Sequence, residues 1–123
     1  MRILIISTPI YSLPPSGYSG LEHLCYQLCV GLHNKGHTMS IVAPEGSRLP
    51  TGVDLISCKV GEDEEQIWLR YKDRLESWDA ILDSSWIRWA TMSSAGRDPQ
   101  LPIVNWHHTD PSVYGSPASV VRY

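Results

Sequence analysis

The chain has 123 residues, of which 42% are hydrophobic and 19% charged, and its formal net charge is -3. A chain of this length and composition is typical of one globular domain with its own core. It carries no basic block, which argues against nucleic acid as the main partner. Its longest apolar run is too short to span a membrane, and no signal-peptide pattern is present. These features predict a cytoplasmic protein with no transmembrane segment.

The first part of the chain is typical of a strand, a loop, a helix and a second strand. Arg2–Ser7 is an apolar run that indicates a parallel strand buried on both faces. A loop with three prolines and two glycines follows and passes into a helix near Gly20. Gly36 is placed to end that helix, and His37–Ala43 is the second predicted strand. The helix carries apolar residues at helical spacing: Leu21, Leu24, Cys25, Leu28, Cys29 and Leu32.

The rest of the chain repeats this alternation. Val53–Val60 is the third predicted strand, Asp79–Asp83 the fourth and Leu101–Trp106 the fifth. A helix with an acidic first turn begins near Gly61, and a shorter helix covers Trp86–Ala95. The apolar face of the earlier helix is predicted to consist of Ile67, Trp68, Tyr71, Leu75 and Trp78. The three cysteines, of which two lie on the first helix, are predicted to be buried free thiols.

Strands that alternate with helices predict a doubly wound, Rossmann-like parallel sheet in a three-layer α/β/α arrangement. Right-handed crossovers favour the strand order 3-2-1-4-5. We expect this domain to cover residues 1–110, with an irregular or truncated tail over residues 111–123. In that order the first and fourth strands flank the point where the winding reverses, which is where such sheets bind ligands.

Several candidate site residues are expected to meet at the carboxyl edge of this sheet. Gly17 and Gly20 are spaced G-x-x-G, and glycines before a helix allow the backbone to approach a diphosphate. Glu22 lies in the first turn of the helix, and Asp83 ends the fourth strand. We assign all four residues to substrate or diphosphate binding. No residue spacing indicates a metal site, and no cofactor is predicted.

Two adjacent histidines follow the fifth strand at the same predicted edge. Successive residues at a strand end point to opposite sides, so only one of His107 and His108 can face the cleft. The sequence does not decide which one does. No serine, histidine and aspartate set of a nucleophilic enzyme is evident.

The motifs together resemble the start of family 4-type glycosyltransferases of the GT-B fold. Two later stretches, WDAILDSS and LPIVNWHH, resemble strands of the same family. In the first part of the chain the matched positions are Pro14, Pro15, Gly17, Tyr18, Gly20, Glu22, Lys35, Gly36, His37, Ala43, Pro44, Gly46 and Ser47. Ser19 departs from the family pattern, which has a glycine there, and the histidines that the family carries around the fourth strand are absent.

The resemblance implies the acceptor-side, N-terminal half of a retaining, metal-independent glycosyltransferase. By that resemblance His108 is catalytic, or His107 if the match shifts by one residue, and Gly20 contacts the diphosphate of a nucleotide sugar. The family binds this donor mainly on a second domain, of which the sequence contains nothing. The chain would then be inactive without a C-terminal domain or a partner chain.

Two alternatives stay open at this point. One is a non-catalytic binding or assembly module on a Rossmann scaffold, in which a homodimer would cover the surface left bare by the missing half. The other is a free-standing nucleotide-binding protein of flavodoxin-like topology, against which the missing phosphate-loop signature counts.

Overall fold

The computed structural model describes residues 1–17, 20–85 and 102–105 of the chain. In chain order its elements are β1 (Arg2–Ile6), α1 (Gly20–Asn34), β2 (Thr38–Pro44), β3 (Asp54–Cys58), α2 (Glu64–Trp68), a 3₁₀ helix (Lys72–Ser77), β4 (Ala80–Asp83) and β5 (Ile103–Asn105). Helices separate β1 from β2 and β3 from β4, as the sequence predicts, whereas β2 leads into β3 through turns without a helix.

The five strands of the described residues form one parallel sheet in the order β3-β2-β1-β4-β5. At its centre Ile5 of β1 pairs with Ile41 of β2 on one side and Leu82 of β4 on the other. This confirms the predicted Rossmann-like sheet and its strand order. The order makes β1 and β4 neighbours although α1, β2 and β3 lie between them in sequence.

Successive side chains of each strand point to opposite faces of the sheet, so the core is divided into two layers, one on each face. Ile3 and Ile5 of β1 pack on the α1 face, with Cys25 and Cys29 of the helix. The opposite face is covered by α2 and the 3₁₀ helix. Its core residues are Leu4, Ile6, Val42, Ile56, Cys58, Ile67, Tyr71, Leu75, Trp78 and Ile81. The two faces have helices because β1 leads into α1, whereas β3 leads into α2.

The first helix buries a narrower stripe than its apolar spacing predicts. Cys25 and Cys29 are fully buried free thiols, as expected. Leu24 was predicted in the stripe but is 36% exposed, and Glu22 is buried instead. A helix covering only one face of a sheet turns a limited arc of its surface inward. Glu22 lies within that arc, beneath the preceding loop.

The helix predicted after Gly61 is interrupted. Asp63 caps α2 by accepting a hydrogen bond from the Glu65 amide at 2.7 Å, and α2 ends at Trp68. The chain then continues as the 3₁₀ helix. The predicted inward face is retained, since Tyr71 and Leu75 are both buried. Spacings of three and four residues select a buried face but are compatible with either kind of helical turn.

Several predictions lie outside the described residues. They include the helix Trp86–Ala95, the histidines His107 and His108, and the tail over residues 111–123. The boundaries of the domain therefore stay a prediction. Among the described residues, none of the helices combines the length and apolar character needed to cross a bilayer.

Candidate functional site

The loop after β1 extends over the carboxyl ends of the neighbouring strands β2 and β3. The Leu13 amide donates to Ser47 Oγ at 2.8 Å, and the Leu13 carbonyl accepts from the Arg48 amide at 2.7 Å. Nearer β1, the Pro9 carbonyl accepts from the Gly61 amide at 2.6 Å. These contacts attach the first half of the loop to the turns that follow β2 and β3. The remaining part of this edge, above β1 and β4, is bounded by the end of the loop and the start of α1.

A buried carboxylate lies beneath this loop. Glu22, in the first turn of α1, is 6% exposed and accepts a hydrogen bond from the Thr8 hydroxyl. Thr8 is 1% exposed and follows the buried end of β1. Because Glu22 lies near the positive end of the helix, its charge is stabilised there. This contact connects the loop to the helix. Glu22 therefore has a structural role within the protein, whether or not it also contacts a ligand.

A second buried carboxylate ends β4. Asp83 is 1% exposed, and its Oδ1 accepts from the Ser85 amide at 2.9 Å and from the Ser85 hydroxyl at 2.5 Å. Both donors come from the residue two positions later, which is an Asx-type turn. Asp83 therefore shapes the exit of the chain from β4. The predicted convergence is correct in this respect, since Asp83 and the β1 loop lie at the same edge of adjacent strands.

Ser84 connects β4, β1 and α1 below the edge. Its hydroxyl donates to the Ile6 carbonyl at 2.5 Å, and its amide donates to the same oxygen at 3.0 Å. Cys25 Sγ lies 3.2 Å from the Ser84 Oγ. Since the one hydroxyl proton of Ser84 goes to Ile6, the Cys25 thiol is the donor in this contact. The arrangement requires a protonated thiol.

Electrostatics agree with that assignment. Burial raises the pKa of Cys25 to about 11, against the opposing effect of the Ser84 and Ser7 hydroxyls, and the nearby carboxylates of Glu22 and Asp83 raise it further. Tyr71 is buried on the other face, and its pKa is well above its ordinary value through burial and then through Asp83. A thiol that stays protonated at neutral pH is a poor nucleophile. Cys25 is thus a structural hydrogen-bond donor.

The two predicted glycines lie on the open side of the edge. Gly17 and Gly20 are exposed, and neither has a protein atom within 4 Å of the position a Cβ would take. The Gly17 carbonyl accepts from His23 Nε2 at 3.2 Å, which holds the end of the loop against α1. Neither glycine is needed for packing within the described part of the chain. Both leave backbone accessible at the start of a 15-residue helix.

The structure therefore brings Gly17, Gly20, Glu22 and Asp83 to one edge of the sheet, but it buries the two acids. Their assignment to ligand binding stays a prediction, and His107 and His108 lie outside the described residues. Sequence reasoning did not assign Thr8 and Cys25 to this edge. The available signal was the pair of small hydroxyl residues directly after each of the two central strands, Ser7-Thr8 and Ser84-Ser85.

No group of three or more histidine, cysteine, aspartate or glutamate side chains suited to holding a metal ion occurs within residues 1–17, 20–85 and 102–105. The acids at the edge are hydrogen-bonded to hydroxyl groups and to a backbone amide instead. The chemistry that these residues offer is hydrogen bonding and positioning.

Comparison with known proteins gives structural matches without sequence matches. No protein-family model matches the chain, and no curated protein does. One similar structure is the DNA/pantothenate metabolism flavoprotein from Streptococcus pneumoniae, with 13% identity and a TM-score of 0.51. Another is the C-terminal domain of the coenzyme A biosynthesis bifunctional protein CoaBC, with 16% identity and a TM-score of 0.49.

The first match covers 69% of this chain and 41% of the flavoprotein, and the second covers 67% of this chain and 43% of the CoaBC domain. The chain thus spans less than half the length of either similar structure. At these identities the likeness concerns the fold, which agrees with the parallel sheet described above.

The resemblance to GT-B glycosyltransferases was wrong. The similar structure with a TM-score of 0.51 is a pantothenate metabolism flavoprotein, and no family model supports the glycosyltransferase motifs. Sugar transfer and a nucleotide-sugar donor, which were inferred from that resemblance, are withdrawn with it. A catalytic role for His108 or His107 stays a prediction, since both lie outside the described residues.

The fold itself explains several motif residues on which the resemblance relied. Gly36 has a φ of 94° and follows α1, and the His37 amide donates to the Leu32 carbonyl at 3.2 Å. These are the features of a helix ending in a left-handed residue. Gly46 has a φ of 88° in the turn after β2, where the Ser47 hydroxyl donates to the Pro44 carbonyl at 2.7 Å. Any strand, loop, helix and strand unit with these turns would present a similar pattern.

Proposed function

We propose that this chain is a Rossmann-type binding module for a nucleotide-like small molecule, held at the carboxyl edge of the sheet between β1 and β4. The observation that supports it is the strand order β3-β2-β1-β4-β5. In this structure α1, which follows β1, and the 3₁₀ helix, which precedes β4, lie on opposite faces of the sheet. Open α/β sheets bind ligands at the crevice that such a reversal leaves.

The open half of this edge has the groups that a ligand with an anionic part requires. The first amides of a helix have no partner within the helix and carry a partial positive charge. Gly20 itself places no side chain over them, and no side chain of the described residues, its chain neighbours excepted, lies within 4 Å of the position of its missing Cβ; the same is true of Gly17. The neighbouring acid, Glu22, is held by Thr8 below the surface.

Binding is favoured over covalent chemistry because the nearby nucleophilic side chains are buried and hydrogen-bonded within the protein. Cys25 is buried and keeps its proton, which it donates to Ser84. The Ser84 hydroxyl is itself buried and bonded to the Ile6 carbonyl. Among the described residues at this edge, these groups stabilise the crevice rather than react in it. A cytoplasmic location and a partner chain stay predictions.

A direct test is a calorimetric titration of the purified chain with FMN and, separately, with ADP. FMN, a flavin nucleotide, is chosen as a probe because one structure with a similar fold is a flavoprotein. ADP tests for a general nucleotide site. We expect saturable binding of at least one of them. A Gly20→Val substitution, which places a branched side chain over the first helical amides, should weaken that binding about tenfold or more.

Gly31→Val is the matched control. Gly31 is also an exposed glycine of α1 with no described atom, apart from its chain neighbours and the helix backbone, within 4 Å of its Cβ position, so the substitution adds the same side chain to the same helix without a clash. It lies in the later part of the helix, away from the proposed crevice. Failure of both nucleotides to bind, or an equal loss of affinity in both variants, would contradict the proposal.

A further inference from the structure

A separate pocket lies at the opposite, amino edge of the sheet. It has a volume of about 290 Å³ and is formed by the first residues of three strands together with the 3₁₀ helix region. The residues that determine its chemistry are Arg2, Thr38, Ser40, Asp54, Arg74 and Trp78. Its volume corresponds to about ten water molecules, so it suits a small ligand rather than a whole nucleotide.

The polar character of this pocket follows from the alternation of side chains between the two faces of the sheet. On β1, Arg2 shares a face with Leu4 and Ile6, which belong to the core beneath α2 and the 3₁₀ helix. On β3, Asp54 precedes the core residue Ile56 in the same way. Each strand therefore ends its apolar row with a polar residue at the amino edge. Trp78 closes the apolar side of the pocket, since it belongs to that same core.

Two arginines, Arg2 and Arg74, line the pocket. The Arg74 guanidinium lies 5.0 Å from the centre of the Trp78 ring, a cation–π contact that orients it. It donates to Asp54 at 3.2 Å, and Arg2 donates to Asp79 at 3.3 Å. Both side-chain contacts are single, although a guanidinium has five donors arranged for two-pronged binding of an oxyanion.

The aspartates are weak counterions for these arginines. The side chains of Asp54 and Arg74 are 54% and 48% exposed, and those of Asp79 and Arg2 are 42% and 57% exposed. Exposed ion pairs of this kind contribute little to stability, so a ligand can displace them readily. Asp79 also accepts from the Arg2 backbone amide at 2.7 Å, which keeps it in place when the guanidinium moves.

We infer that this pocket binds a small oxyanion, a carboxylate or a phosphate, between the guanidinium groups of Arg2 and Arg74. Ser40, a buried hydroxyl residue of the wall, adds a hydrogen-bonding group. The site is independent of the nucleotide-like ligand proposed for the carboxyl edge. A dinegative ion is favoured because it pairs with both arginines at once.

The test is an NMR titration of the intact chain with inorganic phosphate and, in parallel, with malonate, at constant ionic strength adjusted with sodium chloride. Saturable shifts of the Arg2 and Arg74 Nε–H signals are expected with one of the anions or with both. The anion that binds more tightly shows whether the pocket prefers a phosphate or a carboxylate. Arg74→Gln should weaken the binding about tenfold. Arg48→Gln, which removes the same charge from an exposed position that does not line the pocket, should leave it unchanged.

A second variant keeps the test decisive if Arg74→Gln disturbs the packing on Trp78. Asp54→Asn removes the competing carboxylate and should tighten anion binding about threefold. Asp73→Asn makes the same charge change at a side chain that is 87% exposed and outside the pocket lining. Absence of saturable shifts with both anions would overturn the inference. So would equal effects of the paired variants, which would indicate non-specific electrostatic attraction.

Discussion

The two edges of the sheet handle charge in opposite ways. At the carboxyl edge Glu22 and Asp83 are buried and hydrogen-bonded within the protein. At the amino edge the pairs Arg2–Asp79 and Arg74–Asp54 are about half exposed and joined by single contacts. The difference arises because the long loop after β1 covers part of the carboxyl edge, and covered polar groups must be satisfied internally. We conclude that the acids of the carboxyl edge stabilise the fold, whereas the amino-edge charges are available to a ligand.

The largest effect is expected at the carboxyl edge. Asp83→Ala removes the acceptor of two hydrogen bonds from Ser85 and leaves a buried amide and a buried hydroxyl without it. Leaving buried donors unsatisfied destabilises by about 1–3 kcal/mol each, so we expect a loss of about 2–6 kcal/mol in the free energy of unfolding. Urea denaturation monitored by circular dichroism measures it.

Asp79→Ala is the comparison at the amino edge. Asp79 bonds to Arg2 from an exposed position, so its removal should lower the free energy of unfolding far less than Asp83→Ala does. Equal losses for the two variants would show that the contrast between the edges is wrong.

The second effect concerns alkaline pH. Burial raises the pKa of Cys25 from 9.0 to about 11. Between these values the unfolded thiol loses its proton while the folded thiol keeps it. The contribution to stability is therefore complete below about pH 9 and is lost as the pH rises through 11. For a fully buried thiol the loss is about 2–3 kcal/mol.

Urea denaturation at a series of pH values from about 8 to about 11 tests this, with wild type and Cys25→Ala compared. The variant should be less stable at neutral pH but should lose less stability across that interval. Comparing the two proteins cancels groups that titrate there independently of Cys25, including Cys58, whose pKa burial also raises to about 11. Parallel pH curves would mean that Cys25 titrates normally and is not held as a protonated donor.

The smallest effect is expected from the pocket. Asp54→Asn removes the exposed carboxylate that pairs with Arg74 and should change the free energy of unfolding by less than about 1 kcal/mol. The same denaturation experiment measures it. A loss above about 2 kcal/mol would make Asp54 a structural residue and would contradict the view that the amino-edge charges are free to exchange partners.

Much of the fold was predictable because local patterns and topology agree. Apolar runs such as Arg2–Ile6 specify buried strands, and the rule of right-handed crossovers leaves few strand orders, so the order 3-2-1-4-5 followed. The edge at which Gly20 and Asp83 meet was predictable for the same reason. The burial of Glu22 was not predictable, because it depends on the path of the loop after β1, and a loop has no periodic pattern of apolar residues that would reveal its path.

The glycosyltransferase interpretation shows the limit of motifs. Gly36 and Gly46 matched a family pattern, yet each is explained by a positive φ in a turn that the fold itself requires. Positions that satisfy backbone geometry recur wherever the same strand and helix unit occurs. They therefore indicate the fold and do not identify the function.

The sheet followed from the apolar runs of the sequence, its strand order from the rule of right-handed crossovers, and most of the inward helix faces from the spacing of apolar residues, with Leu24 of α1 as an exception. Tertiary structure decided the partners of the polar groups: Thr8 with Glu22, Cys25 with Ser84, and Arg74 with Asp54 and Trp78. Such pairs join residues distant in sequence through distances of a few ångströms. Their formation depends on how loops cross the edges of the sheet, which is settled only when the whole chain packs.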